Sequence, residues 1–186
     1  MADAESVDRF DEIYHTQYRS ILAYFRRRVE SLEDAQDLAD EVFVVAWRRF
    51  ERVPRDEETR LWLYGVARNV LANYRRSRWS ARRLMARVAF EPIHPSAGPA
   101  ETMLAAETDD ELMRAVAALR RRDREVLQLA YWDELSRPEI AELLHTSRSN
   151  VNVRIHRAVR RLEKLLTGSA HVPIEGPLST SREMIE

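Results

Sequence analysis

An all-α protein, built as two small helical domains joined by a flexible acidic linker, is what this sequence predicts. Three observations carry the expectation. Glycine is scarce, four in 186 residues, while hydrophobic residues make up 45%; that is enough for packed cores with few breaks. Apolar residues recur at spacings of three and four through most of the chain, the period of a helix with one buried face. Over residues 91–111 that pattern lapses: Pro92, Pro95, Gly98 and Pro99 fall close together, and the stretch holds six acids and no Arg or Lys. Such punctuation marks a linker. The expected division is a first domain at 1–90, a linker at 91–111, a second domain at 112–167 and a mobile polar tail at 168–186.

The first helix is expected over 7–29, with Phe10, Ile13, Tyr14, Tyr18, Ile21, Leu22 and Phe25 as its apolar stripe. It ends in Arg26, Arg27 and Arg28, cations that suit the negative end of a helix. Core packing is its expected role. The second helix is expected over 31–53. Ser31 can cap it, with Asp34 three residues on. Ala35, Leu38, Ala39, Val42, Ala46 and Phe50 form its buried stripe, widened by Phe43 and Trp47. The opposite face shows Asp37, Asp40, Glu41, Val44 and Arg48. That face is either simply solvated or a docking surface for a basic partner helix.

Residues 51–59 read as a polar loop broken by Pro54, and a third helix follows over 60–89, with Leu61, Trp62, Leu63, Val66, Ala67, Val70, Leu71 and Tyr74 as its apolar set. Between Thr59 and Phe90 there are eight Arg and no acid. A run of one sign is unfavourable in an isolated helix and calls for an anionic partner. Asn69, Asn73, Tyr74 and Trp79 lie among the arginines, and that mixture suits single-stranded or distorted DNA. The plainer alternative is a basic surface helix neutralised by counterions. The acidic linker could shield the basic surfaces, thread a positively charged channel on a partner, or merely space the domains.

Helices resume near residue 109. Leu112, Val116 and Leu119 belong to one, and Val126, Leu127, Leu129 and Ala130 to another over 123–132. Both are expected to pack behind the stretch 136–166. There Ser136 and Glu139 spell a capping box, with Pro138 in the first turn of a short helix. Ile140, Ala141, Leu143 and Leu144 give it one apolar face. His145 and Thr146 leave room only for a sharp turn. Ser147 can cap a longer helix with Val151, Ile155, Ala158, Leu162 and Leu165 at helical spacing. Short helix, tight turn and longer helix make the helix-turn-helix pattern. The outer face of the second helix carries Arg148, Ser149, Asn150, Asn152, Arg154, His156, Arg157, Arg160, Arg161 and Lys164. Asn and Arg can read base edges, and the other arginines can hold phosphates.

The net charge is only −1, so the distribution of charge, not its total, points to nucleic acid. Every basic residue except Lys164 is Arg. The chain has no Cys, which removes disulfides, thiolate nucleophiles and Cys-zinc sites. Its five His, at 15, 94, 145, 156 and 171, show no metal-ligand spacing. No phosphate-cradling glycine loop or nucleophile elbow is present. No catalytic residue, cofactor or metal is therefore expected. No apolar signal core opens the chain and no stretch reaches membrane-spanning length, so the expected location is the cytoplasm, without membrane insertion.

Two blocks resemble one family. DAQDLADEVFVVAW at 34–47, followed by WLYGVARN at 62–69, resembles regions 2.1 to 2.4 of the extracytoplasmic-function sigma factors of bacterial RNA polymerase. REVLQLAYWDELSRPEIAELL at 124–144, with VNVRIHRAVRRL at 151–162, resembles their region 4. The likeness spans about residues 10–166, nearly the whole chain. It implies a region 2 helical bundle that docks on the clamp helices of the core polymerase's largest subunit through Asp37, Asp40, Glu41 and Val44. It implies −10 recognition by Arg55, Arg60, Asn69, Asn73, Arg75, Arg76 and Arg78. It implies −35 reading in the major groove by Arg148, Ser149, Asn150, Asn152, Val153, Arg154, His156 and Arg157. Core RNA polymerase and promoter DNA are the implied partners, with an anti-sigma factor that covers both sets of surfaces. The linker would run through the polymerase toward its active site. The chain departs from the pattern in places: His145 stands where a Gly is frequent, Asn150 where Thr is frequent, Arg120 where a Pro is common, and Thr59 near a usual aromatic. A different reading of the same residues is a helix-turn-helix regulator whose first domain senses a ligand or dimerises.

Overall fold

The structure, a computed structural model, describes residues 4–88 and 107–167, with side-chain surroundings described over 4–80 and 111–167. Most of the expected linker and all of the expected tail lie outside these residues. The described residues are helical, without strands, and the chain divides into two compact units, Met1–Glu101 and Thr102–Glu186.

The first unit is a bundle of α1 (Ala4–Arg26), α2 (Leu32–Arg48) and α3 (Glu58–Val88). Its middle helix is α2, which packs against both others. Ala35, Ala39 and Ala46 are almost completely buried along α2, beside Leu38, Val42 and Phe43. Small side chains at one-turn spacing let neighbouring backbones approach closely and lose no rotamer entropy on burial. Against them pack Ile13, Ile21, Tyr24 and Phe25 of α1, and Leu63, Tyr64, Ala67, Val70 and Leu71 of α3. Each large side chain buried this fully contributes about 1.5–3 kcal/mol. Tyr24 meets Phe25 and Tyr64 edge-on, with ring centroids 5.2 and 5.7 Å apart.

The ends of these helices follow local chemistry. Helix α1 stops at Arg26, three residues before the expected 29, and Arg28 folds back: its Nη1 donates to Tyr24 O at 2.8 Å and its guanidinium lies 3.7 Å over the Tyr24 ring. Ser31 caps α2, accepting from Asp34 N at 3.3 Å. That helix ends at Arg48 and tightens into a 3-10 turn, Phe50–Arg52, so Phe50 leaves the α2 stripe. Trp47, expected in the core, stands 42% exposed. Its ring packs edge-on against Phe10, 4.9 Å between centroids, at the open end of the bundle.

The second unit contains α4 (Glu107–Ala117), α5 (Arg121–Tyr131), α6 (Arg137–Leu143) and α7 (Arg148–Thr167). Helix α4 starts inside the range expected to be linker, and the acids at 107, 109, 110 and 111 suit the positive end of a helix. Ala115, Val116, Leu119, Leu127, Ala158 and Leu162 form a buried cluster, with Leu112, Tyr131, Trp132, Val159 and Leu166 packed against it. Leu165, expected on the apolar face of α7, is exposed; Leu166 takes the inward place. Ile140, Ala141 and Leu143 are buried from α6, as are Val151 and Ile155 from α7. The helices α5 and α6 both pack on α7.

Candidate nucleic-acid interfaces

The start of α6 is fixed by a reciprocal capping box. Ser136 N donates to Glu139 Oε2 at 2.7 Å, and Glu139 N donates to Ser136 Oγ at 3.4 Å. Two otherwise orphaned donors are satisfied at once. The end of α6 is closed by a Schellman pair: His145 N donates to Glu142 O at 3.0 Å and Thr146 N to Ala141 O at 2.9 Å. That closure needs a left-handed residue after the helix, the place where glycine is usual. Here His145 adopts it, with φ 49°. Ser147 then opens α7, accepting from Asn150 N at 3.1 Å.

With α7 pinned by Val151, Ile155, Ala158 and Leu162, about 100° of rotation per residue sets the direction of every other side chain. Ser149, Val153, His156 and Arg157 point away from the core, and all four are exposed. Exposed Arg148 and Asn152 flank this face on one side. Val153, at 51% exposure, is an apolar group held outward among polar ones, the form that meets a thymine methyl in the major groove. Asn150 and Arg154 fall on the other flank, half-buried. The Asn150 amide is engaged in the turn, where Nδ2 donates to Thr146 Oγ1 at 2.8 Å. Arg160, expected on the outer face, continues the line 149, 153, 156 and is exposed. One residue was missed at the sequence level. Arg137 of α6 donates from Nη1 to Asn152 Oδ1 at 3.1 Å. Its only sequence signal is a cation at a helix N-terminus, where the backbone dipole disfavours one.

In the first unit, Asn69, Asn73 and Arg76 share the outward side of α3, all exposed, and Arg76 Nη2 donates to Asn73 Oδ1. Arg75 is half-buried on the flank. Arg60 and Arg78 fall in line with buried Ala67 and Leu71. Arg60 is half-buried with its guanidinium 5.8 Å over the Tyr64 ring. Arg78 Nη1 donates to the Tyr74 hydroxyl at 2.6 Å and pairs with Asp34 Oδ2 at 3.3 Å. Tyr74 in turn donates to Asp34 Oδ2 at 2.7 Å. Burial first, and then the Asp34 carboxylate, raise the Tyr74 phenol above its ordinary value. Tyr74 is thus tied to α2, whereas Trp79 is 60% exposed.

The loop before α3 is closed from two sides. Thr59 Oγ1 donates to Pro54 O at 2.7 Å, and Arg9 of α1 donates from Nη2 to Val53 O at 3.0 Å and also to Pro54 O. Asp56 adopts a left-handed φ of 58°. Between this loop and α1 lies a cleft of about 300 Å³, lined by Arg9, Glu12, Ile13, Thr16, Gln17, Arg55, Asp56 and Thr59. The contribution of α1 was not foreseen, because its polar positions looked like ordinary surface.

On α2, Asp37, Asp40, Glu41 and Val44 are all exposed along one strip opposite the alanines, Val44 to 46%. Burial, then Asp40, pushes the Tyr18 phenol up to about 12. Among the described residues, no group of His, Asp and Glu is arranged to hold a metal, and no helix is long and apolar enough to cross a membrane.

Sequence models of two families match this chain: sigma-70 region 2 over residues 13–81 and sigma-70 region 4 over residues 109–162. The RNA polymerase sigma factor YlaC of Bacillus subtilis is 32% identical, over 87% of this chain and 94% of that protein. The ECF RNA polymerase sigma factor SigW of the same organism is 28% identical over 89% of each. An RNA polymerase sigma-E factor of Streptomyces coelicolor is 31% identical over 84% of this chain and 85% of its own length. Two solved structures share the fold. CnrH in complex with the cytosolic domain of CnrY has a TM-score of 0.61 at 24% identity, over 87% of this chain and 89% of that one. RpoE of Bartonella quintana in complex with the anti-sigma factor NepR has 0.64 at 19%, over 87% and 98%.

Proposed function

This chain belongs to the extracytoplasmic-function sigma factors of the sigma-70 family, and on that premise we propose how its surfaces divide the task of starting transcription. The protein is an RNA polymerase sigma factor. Sigma factors are not enzymes: the polymerase does the chemistry, and this chain, acting in the cytoplasm, positions the promoter and helps to part its strands.

In this reading the strip Asp37, Asp40, Glu41 and Val44 docks on the clamp helices of the core polymerase's largest subunit. The acids offer charge complementarity, which speeds encounter and sets register, and Val44 gives the strip an apolar contact. The outward side of α3, with Asn69, Asn73 and Arg76, meets the −10 element, and Arg75 supports it from the flank. The cleft beside Arg55 has the volume and the mixed polar lining to hold one base taken from the stack. Extruding a base costs a few kcal/mol, so contacts in such a cleft must offset that loss. The outward face of α7 reads the −35 element, with Arg148, Ser149, Asn152, Val153, His156 and Arg157 toward the groove. Asn150 and Arg154 serve at its margin. An anti-sigma factor would act by covering the docking strip and the α7 face.

One observation carries this division. A helix-turn-helix unit shares the chain with a second, separate basic helix whose outward side pairs Asn with Arg. A repressor needs one duplex-reading unit, and a ligand-sensing bundle has no use for the second surface. The test is run-off transcription with purified core polymerase on a library of promoters. Programmed initiation from a defined subset is expected. A chain that binds duplex DNA alone yet never directs core polymerase would overturn the division in favour of a conventional regulator.

A further inference from the structure

Asn152 is exposed on the outer side of α7, but it is not a freely rotating amide. The group facing it is the guanidinium of Arg137, which has donors and no acceptor. The atom turned toward Arg137 must therefore be Oδ1, as the 3.1 Å contact has it, and Nδ2 points away. The usual ambiguity between amide oxygen and nitrogen does not arise here. The other end of the contact is equally fixed. Arg137 is the first residue of α6, next to Pro138, and the capping box holds its backbone on both sides. A cation in the first turn of a helix is locally unfavourable, so its place is explained by what the side chain reaches.

We propose that Arg137 is a positioning residue for promoter choice: by holding Asn152 Oδ1, it makes Asn152 present N–H donors to the major groove and select a base whose edge there offers an acceptor and no amino donor. The reading rests on α7 lying in the groove of the −35 element. An unrestrained Asn pairs with adenine by accepting from N6 and donating to N7. With Oδ1 held by Arg137, the N6 amino group of adenine would be brought against guanidinium N–H donors. Guanine, through O6 and N7, and thymine, through O4, offer acceptors without an amino donor on the same major-groove edge. Asn152 therefore selects guanine or thymine at the position it reads, and adenine is disfavoured there by Arg137 rather than by α7 itself.

The experiment measures binding of the reconstituted polymerase holoenzyme to a −35 library carrying all four bases at each position. The wild-type chain is compared with N152A, R137A, R137K, the double variant and V153A. N152A identifies the position that Asn152 reads. At that position the wild type is expected to prefer guanine or thymine. R137A is expected to raise adenine there by about tenfold relative to the preferred base, within what one good base contact discriminates. In the N152A background, R137A should change no preference. R137K, which keeps the charge but not the planar fork, should keep overall affinity while losing part of the discrimination. A uniform loss on every promoter in R137A, or a wild-type preference for adenine, overturns the proposal and leaves Arg137 as a phosphate contact. If N152A itself shifts no base preference, Asn152 reads no base and the proposal fails; if V153A is also without effect on preference, the placement of α7 in the groove fails with it. If N152A shifts the preference and R137A does not, only the role of Arg137 fails.

Discussion

Tyr74 donates a 2.7 Å hydrogen bond to Asp34 Oδ2, joining α3 to α2 across 40 residues of chain. The helix with the basic outward side and the helix with the acidic strip are thereby fixed to each other by a bond that also gathers in Arg78. Tyr74→Phe removes one donor from this group and should cost about 1 kcal/mol of stability, the net worth of an ordinary hydrogen bond. Urea denaturation of the full chain checks it; an unchanged midpoint would mean the bond contributes nothing net.

The same group separates two arginines that look alike in sequence. Arg78 is engaged with Asp34 and Tyr74, whereas Arg76 is exposed on the outward side. Arg76→Ala is expected to reduce the salt dependence of promoter binding by roughly 0.7–0.9 in slope, the counterion share of one phosphate contact. Arg78→Ala should leave that slope unchanged and lower the unfolding midpoint instead. Titrations of holoenzyme binding against salt distinguish the two, and equal slopes for both variants would contradict the assignment.

His145 supplies the left-handed residue that closes α6. A side chain with a Cβ is disfavoured there, so His145→Gly should stabilise the chain by about 1 kcal/mol. The gain would appear as a higher midpoint with an unchanged denaturant slope. A loss of stability would show that the imidazole makes a contact worth more than the backbone cost.

Stability should also respond to alkali. The Tyr18 phenol is raised from 10.0 to about 12, by burial first and by Asp40 second. The folded state thus holds its proton more tightly than the unfolded chain. Its contribution is complete below pH 10 and is lost as pH rises from 10 through about 12. Tyr74 shifts in the same direction. Denaturation midpoints followed across that interval should fall, and Tyr18→Phe should flatten the fall. A Tyr18→Phe profile that declines as steeply as the wild type would assign the loss to other groups.

Charge reversal at Asp37 and Glu41 should weaken association with core polymerase while far-ultraviolet circular dichroism and thermal stability stay unchanged, because both side chains are exposed. Retention of the variant by immobilised core polymerase at wild-type levels would place the docking surface elsewhere.

The helices and their buried sides were legible because apolar spacing survives in the sequence: Val151, Ile155, Ala158 and Leu162 are buried as their period requires. Caps were legible for the same local reason; the Ser136–Glu139 box and the Ser31 and Ser147 caps involve residues three apart. Contacts between distant segments were not. The phase of α3 sets Arg78 apart from Arg76, but the partner that engages it, Asp34, lies 44 residues away. Arg9 closes a loop 44 residues away, and Arg137 meets Asn152 only after the α6–α7 turn has formed. Periodicity also overreached at the bundle's open end, where Trp47 keeps the helical phase but meets solvent.

The buried spine of α7 and its outward face share no residue. Substitutions at Ser149, Val153 or His156 can therefore accumulate without disturbing the core beneath them. Descendants of one such chain could acquire separate sets of target genes while keeping the same scaffold. An engineer could follow the same route and rewrite those positions to build parallel regulators that ignore each other's promoters.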